Sequence, residues 1–151
     1  MLLLFLMGGI ASTATAQTLS CAQTLNFGKI VACAGTHTLT LSPAGALTPS
    51  GCLSTLGGHQ VGRCQLNDLT DTATISIDPL ATIEGPASQQ MNMDDFLLRA
   101  ASGGAADSTL LITPEMADFG FDFTIGATLH VSSGQQGGHY DGLYGVTVNY
   151  E

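Results

Sequence analysis

The feature that most constrains the fold is a long alternation of apolar and polar residues between Asp118 and Val131. In this segment, DFGFDFTIGATLHV, the apolar side chains occupy one parity, and the polar residues and glycines occupy the other. The apolar series is Phe119, Phe121, Phe123, Ile125, Ala127, Leu129 and Val131. Successive side chains of a β-strand point to opposite faces, so the pattern predicts antiparallel strand structure, continuous or broken at Gly126, with one face buried.

Shorter segments of the same character predict further strands. They lie at residues 23–31, 36–42, 60–66, 72–78, 109–113 and 144–150. Clusters of Gly, Pro and Ser, which favour turns, separate them. Many short strands with no alternation of strand and helix indicate an all-β fold, specifically an antiparallel β-sandwich.

One segment is ambiguous between helix and strand. Residues 89–101, QQMNMDDFLLRAA, are the only helix candidate, because Met93, Phe96, Leu97 and Ala100 fit a helical stripe. Alternation that starts at Met91 fits a strand equally well. Both interpretations therefore stay open for this segment.

Residues 1–16 are typical of a cleaved signal peptide. An apolar run from Leu2 to Ile10 is followed by small residues that end in Ala14-Thr15-Ala16, which predicts cleavage before Gln17. No Lys or Arg precedes the run, which departs from the usual pattern. The run is too short for a transmembrane span, which needs about 20 apolar residues. We therefore expect an exported chain, periplasmic, cell-surface or extracellular, in which residues 17–151 form one domain.

Four cysteines, Cys21, Cys33, Cys52 and Cys64, form an even set in a chain with an export signal, which predicts two disulfides. Twelve positions separate the first two cysteines and twelve separate the last two. This equal spacing favours the pairs Cys21–Cys33 and Cys52–Cys64, although all three connectivities remain open. His37 lies among the cysteines, but no Cys-x2-Cys spacing is present and disulfide sulfurs do not bind zinc as thiolates, so no metal site is predicted.

The composition argues against several functional classes. Charged residues make up 10% of the chain and the net charge is −9, so the surface repels nucleic-acid phosphates and anionic membranes. No nucleotide-binding, nucleophile-elbow or zinc-protease motif occurs. Asp94 and Asp95 are the only adjacent carboxylates, and neither a strand nor a helix makes such neighbours converge. We predict no catalytic residue and no cofactor, with a secreted hydrolase as the lesser alternative.

The C-terminal segment carries a family resemblance. In GGHYDGLYGVTVNYE, Tyr144, Val146, Val148 and Tyr150 alternate with small or polar residues, and Gly138 is the fourteenth residue from the end. This ending resembles the C-terminal strand of chaperone–usher pilus subunits. Together with LNFG at 25–28 and LTLSPAG at 39–45, it resembles the domain-of-unknown-function 4402 family of small exported bacterial proteins with a pilin-like, immunoglobulin-like β-sandwich.

The resemblance implies a fold and an assembly role. In pilus subunits the sandwich lacks one strand, and a periplasmic chaperone, and then a neighbouring subunit delivered to an outer-membrane usher, supplies it by β-augmentation. Gly138, Tyr144, Val146, Val148 and Tyr150 would then border the acceptor groove. The alternative is a complete sandwich that acts as a self-contained secreted or periplasmic binding module. The segment 17–24, QTLSCAQT, is short for a strand donated to a neighbour.

Overall fold

Residues 17–151, which the computed structural model describes, form β-strands and short turns, and the signal peptide predicted over residues 1–16 lies outside them. The strands are β1 (Thr18–Gln23), β2 (Ile30–Val31), β3 (His37–Leu41), β4 (Leu47–Pro49), β5 (Ser54–Thr55), β6 (Gly62–Asn67), β7 (Ala73–Ile77), β8 (Ala81–Glu84), β9 (Gln90–Ala100), β10 (Thr109–Ile112), β11 (Phe121–Val131), β12 (Asp141–Gly142) and β13 (Val146–Tyr150). Within this described part, the only helical elements are 3-10 turns at Pro86–Ser88 and Pro114–Ala117. The all-β prediction is confirmed.

The strands assemble into an antiparallel sandwich. The larger sheet has the order β1-β6-β11-β9-β8-β12, with β3 and β4 continuing from the second half of β11, and the smaller sheet has the order β10-β7-β13. An immunoglobulin constant-type domain places strands A, B, E and D in one sheet and C, F and G in the other. By chain order and spatial order, β1, β6, β11 and β9 correspond to A, B, E and D, while β7 and β13 correspond to C and F.

Strand β11 forms the centre of the core. Phe123 and Ile125 are fully buried in the hydrophobic core, and in the sheet β9 pairs with one side of the strand while β6 and β3 share the other. Gly126 lies where β11 changes partner from β6 to β3, and a Cβ atom there would overlap the backbone of Leu41 and Pro43. The predicted strand therefore runs through Gly126 without a break.

Phe119 does not belong to the buried series, contrary to the sequence prediction. The strand begins at Phe121, and Phe119 is 98% exposed. Gly120 lies between them at φ +92°, in the left-handed region that glycine adopts readily. The chain turns at this glycine, so Phe119 loses its place on the inner face.

Residues 90–100 form strand β9, so the helical interpretation is wrong. A bulge at Asp95, with φ +48°, shifts the register against β11 between Gly126 and Thr128. Because a bulge adds one residue to one strand, the buried parity changes within β9. The buried side chains are Met91, Met93, Phe96 and Leu98.

The strand predicted over residues 23–31 is largely wrong as well. Asn26 makes only an isolated bridge to Gln60, and regular pairing is confined to Gln23 at the end of β1 and to β2. Gly28, at φ +77°, brings the backbone so close to Gly57 that a Cβ atom would overlap its carbonyl oxygen. This close crossing of two loops replaces an extended strand.

The disulfides join Cys21 to Cys64 and Cys33 to Cys52. The pairing favoured by the equal spacing is therefore wrong. Cys21 and Cys64 are direct partners in the ladder between β1 and β6, whereas the other bridge ties the β2–β3 connection to the β4–β5 connection. Spacing along the chain does not report which strands become neighbours. Two such bridges indicate an oxidising environment.

Candidate functional site

Strand β13 has one unpaired edge. It pairs with β7 on one side, and none of residues 17–151 pairs with it on the other. In a constant-type immunoglobulin sheet, strand G occupies the position beside F. We call this side of residues 146–150 the open edge.

The hydrogen-bonding pattern shows which backbone groups point toward the open edge. The amide of Asp78 donates to the carbonyl of Gly145, and the amide of Glu151 donates to the carbonyl of Thr72. Hydrogen-bonded and non-bonded pairs alternate along an antiparallel ladder. Residues 147 and 149 therefore direct their backbone groups at β7, whereas residues 146, 148 and 150 direct their N–H and C=O groups outward.

The side chains of the same three residues face the core but remain incompletely covered. Val148 lies opposite Ile75, and Tyr150 lies opposite Ala73. Ile75 and Ala73 are fully buried, whereas Val148 is half-buried and Tyr150 is 46% exposed. Apolar cover thus decreases from the middle strand of the small sheet to its open edge.

Tyr144 closes the end of the small sheet where β13 begins. Its ring lies 5.4 Å from the ring of Phe96, centroid to centroid. Its hydroxyl lies above Gly62, where a Cβ atom would stand 2.9 Å from the oxygen. Burial raises the pKa of the Tyr144 hydroxyl, and a backbone hydrogen bond from Leu25 partly offsets this effect. Tyr144 therefore joins β13 to the larger sheet.

Gly138 lies apart from the open edge. A Cβ atom at this position would overlap the ring of Pro86, so the glycine allows residues 138–142 to cross over the end of β8, where β12 pairs. The family resemblance predicts that Gly138 borders the same groove as Tyr144, Val146, Val148 and Tyr150. The structure brings only the last four together, along one strand and its entry.

Tyr140, which carries no functional prediction from the sequence, anchors this crossing. Its one hydroxyl hydrogen is shared between two acceptors, the side-chain oxygen of Gln89, 3.2 Å away, and the backbone carbonyl of Gln136, 2.9 Å away. Gly85 lies directly under the ring, because a Cβ atom there would overlap it. In the sequence, Gly85-Pro86 predicts a turn. It does not indicate that the ring of Tyr140 packs on this turn.

Residues 18–23 belong to the sandwich itself. They form β1, which pairs with β6 along its length and is held by the Cys21–Cys64 disulfide. Leu19 packs against the core. This segment of the chain is therefore not free to leave and insert into another molecule.

The histidines and carboxylates do not converge into a catalytic arrangement among residues 17–151. His130 and Asp94 contact each other at 2.7 Å on the solvent face of the large sheet, as a side-chain pair roughly a third exposed. His139 is almost fully exposed, 4.0 Å from Asp141. In that part of the chain, the only cluster with the spacing of a metal site is Cys33, His37 and Cys52, and its two sulfurs are joined in a disulfide.

None of the helical turns within residues 17–151 has the length and apolar character that crossing a bilayer requires. A family model described as "Domain of unknown function (DUF4402)" matches residues 17–150. The match covers the whole sandwich, including both disulfides and the open edge. No curated protein and no solved structure matches the chain.

Proposed function

The chain belongs to the DUF4402 family, and we propose that it is an exported structural or adhesion component, a pilus or fimbrial type of subunit, whose open edge accepts a β-strand from another polypeptide. The observation that carries the proposal is the state of β13. Val146, Val148 and Tyr150 direct backbone groups away from β7 while their side chains face an incompletely covered core. An added strand would pair these outward backbone groups and also cover these side chains.

The physical basis is β-augmentation. Main-chain hydrogen bonds from an added strand supply affinity, and pockets for alternate side chains set its register. An unpaired edge is a liability for a monomer, because it is a template for pairing with any extended chain. In a subunit that is completed by another polypeptide, the same edge is the assembly surface. Contacts of this kind that repeat head to tail without closing produce a filament.

The partners proposed are those of a chaperone-assisted assembly: a periplasmic chaperone, an outer-membrane usher and neighbouring subunits. The two disulfides agree with passage through an oxidising compartment, hence a periplasmic, cell-surface or extracellular location. Because β1 is held in its own sheet, residues 18–23 do not act as a donor strand. On this proposal the described domain receives a strand, and a partner provides it.

A second candidate function is a self-contained secreted or periplasmic binding module. It is supported by the small sheet, whose middle strand already buries Ala73 and Ile75 completely without an added strand. A finished module would keep β13 stable as an ordinary edge strand. The two candidates differ in whether a foreign strand binds there.

The test uses the protein purified from cells that express the full chain. The probe is a synthetic peptide of about twelve residues in which Val alternates with Thr and Lys, and the control peptide has the same composition with its valines clustered. An alternating peptide bound at the open edge raises the thermal midpoint, since a ligand at a hundred times its Kd stabilises by about 2.7 kcal/mol. Equal effects of both peptides, or of neither, would contradict strand acceptance and leave the self-contained module.

A further inference from the structure

The Cys33–Cys52 disulfide lies beside a histidine. The Nε2 atom of His37 is 3.4 Å from the Sγ atom of Cys52. The bridge is near the surface, with Cys33 half-buried and Cys52 exposed. Small thiols can therefore reach it from solvent.

The same imidazole nitrogen also contacts a carbonyl, and this contact shows where its proton is. Nε2 lies 2.9 Å from the backbone oxygen of Ala34. A carbonyl oxygen only accepts hydrogen bonds, so Nε2 must carry the hydrogen that it donates to Ala34. The sulfur of Cys52 thus lies beside this N–H group, whose single hydrogen can be shared between the Ala34 carbonyl and a negatively charged sulfur in a three-centre hydrogen bond.

Two glycines hold the ring in this place. A Cβ atom at Gly51 would overlap the Nδ1 side of the His37 ring, and one at Gly35 would stand 3.1 Å from Nε2. Both glycines have positive φ, +60° and +101°, which other residues rarely adopt. The β2–β3 connection, with Gly35, and the β4–β5 connection, with Gly51, therefore both pack closely on the imidazole, and the contact is part of the local fold.

The other disulfide has a different environment. Cys64 is 1% exposed within β6, whereas its ladder partner Cys21 is exposed, as Cys52 is in the first bridge. The two bridges differ because, within residues 17–151, no histidine hydrogen-bonds to the sulfurs of Cys21–Cys64. The two bridges of one chain thus offer an internal comparison.

We infer that Cys33–Cys52 is a thiol–disulfide exchange site, with Cys52 as the leaving sulfur and His37 as the group that stabilises it. An external thiolate attacks Sγ of Cys33, a new sulfur–sulfur bond forms, and the Cys33–Cys52 bond breaks. Its electron pair goes to Sγ of Cys52, where the Nε2–H of His37 hydrogen-bonds the thiolate. The substrate class is a thiol or dithiol, and a dithiol completes the reduction by displacing Cys33 while it is itself oxidised to a disulfide.

The experiment treats the oxidised protein with reduced glutathione, quenches with iodoacetamide and maps the modified peptides by mass spectrometry. We expect glutathione on Cys33 and the alkyl group on Cys52, before any modification of Cys21 or Cys64. A hydrogen bond to a charged group is worth about 1.5–3 kcal/mol. His37→Ala should therefore slow opening of this bridge by about tenfold or more, and leave the rate at Cys21–Cys64 unchanged.

The matched control is His59→Ala, which removes an exposed histidine from a neighbouring loop and should leave both rates unchanged. His37→Gln, which keeps an N–H donor, should restore part of the rate. Gly51→Ala keeps the histidine but displaces its ring, so it should slow opening as His37→Ala does. Glutathione on Cys52, prior opening of Cys21–Cys64, or an unchanged rate in both His37→Ala and Gly51→Ala would each overturn the assignment. In the protein without substitutions, the cysteine that carries glutathione tests which sulfur leaves, so the assignment can be overturned even where a variant does not fold.

Discussion

Val148 lies directly opposite Ile75 in the ladder between β13 and β7, and both side chains face the core, yet only Ile75 is fully buried. The two residues have the same chemical character and the same inward direction. They differ in their neighbours, since β7 has a strand on each side and β13 has only one among residues 17–151. The lower burial of the Val148 side chain therefore follows from the unpaired open edge beside it.

Amide exchange should alternate along β13. The amides of Thr147 and Asn149 point at β7 and should be protected, whereas those of Val146, Val148 and Tyr150 point outward and should exchange rapidly. Hydrogen exchange followed by two-dimensional NMR resolves these positions individually. Binding of the alternating peptide should protect the second set and leave the first unchanged. Uniform protection along the strand in the free protein would mean that the edge is already covered.

Tyr144 should make stability depend on pH in the alkaline range. Because burial raises the pKa of its hydroxyl in the folded state, the folded protein binds this proton more tightly than the unfolded chain, whose tyrosines titrate near about pH 10. The stabilising contribution is fully present below that pH and is lost as the pH rises through the folded-state pKa.

The matched variant for this prediction is Tyr144→Phe, which keeps the ring packed against Phe96 and removes the ionisable group. Urea unfolding of both proteins between pH 8 and pH 12, in steps of about one unit, should show a smaller alkaline loss in the variant. Parallel curves for the two proteins would contradict a buried hydroxyl at this position.

The sequence predicted the centre of the fold because β11 is buried on one face over its whole length. Period-two alternation reports which face a strand buries, and this holds from Phe121 to Val131. It does not report where the strand begins. Phe119 has the correct parity, but the left-handed turn at Gly120 depends on local backbone geometry that parity does not encode.

The ambiguity over residues 89–101 has one physical cause. Met91 and Met93 are buried at odd positions and Phe96 and Leu98 at even ones, and the bulge at Asp95 accounts for the change. A strand with such a shift produces spacings of two and three, which overlap with those of a helical stripe. The open edge and the cysteine pairing were not predictable in the same way, because both depend on which strands become neighbours in space.

Gly126→Ala should destabilise the protein substantially. A Cβ atom there would overlap the backbone of Leu41, Ser42 and Pro43, which cannot move aside as a side chain can. Overpacking of this kind costs about 1–3 kcal/mol. The control is Gly137→Ala, where a Cβ atom meets nothing within 4 Å and the urea midpoint should stay close to that of the parent. Equal midpoints for the two variants would contradict the close packing of Gly126 against the backbone that follows β3.

Proline substitutions in β13 should separate strand acceptance from stability. Val148→Pro removes an N–H that points outward, and proline is tolerated in edge strands whose N–H faces solvent. The variant should therefore fold and lose the thermal shift produced by the alternating peptide. Thr147→Pro removes an N–H directed at β7 beside Ser76, which leaves a ladder carbonyl unpaired at a cost of about 1–3 kcal/mol. It should lower the unfolding free energy of the unliganded protein more than Val148→Pro does. If Val148→Pro binds the peptide as well as the parent does, the added strand does not pair with the open edge, and the self-contained module becomes the better description.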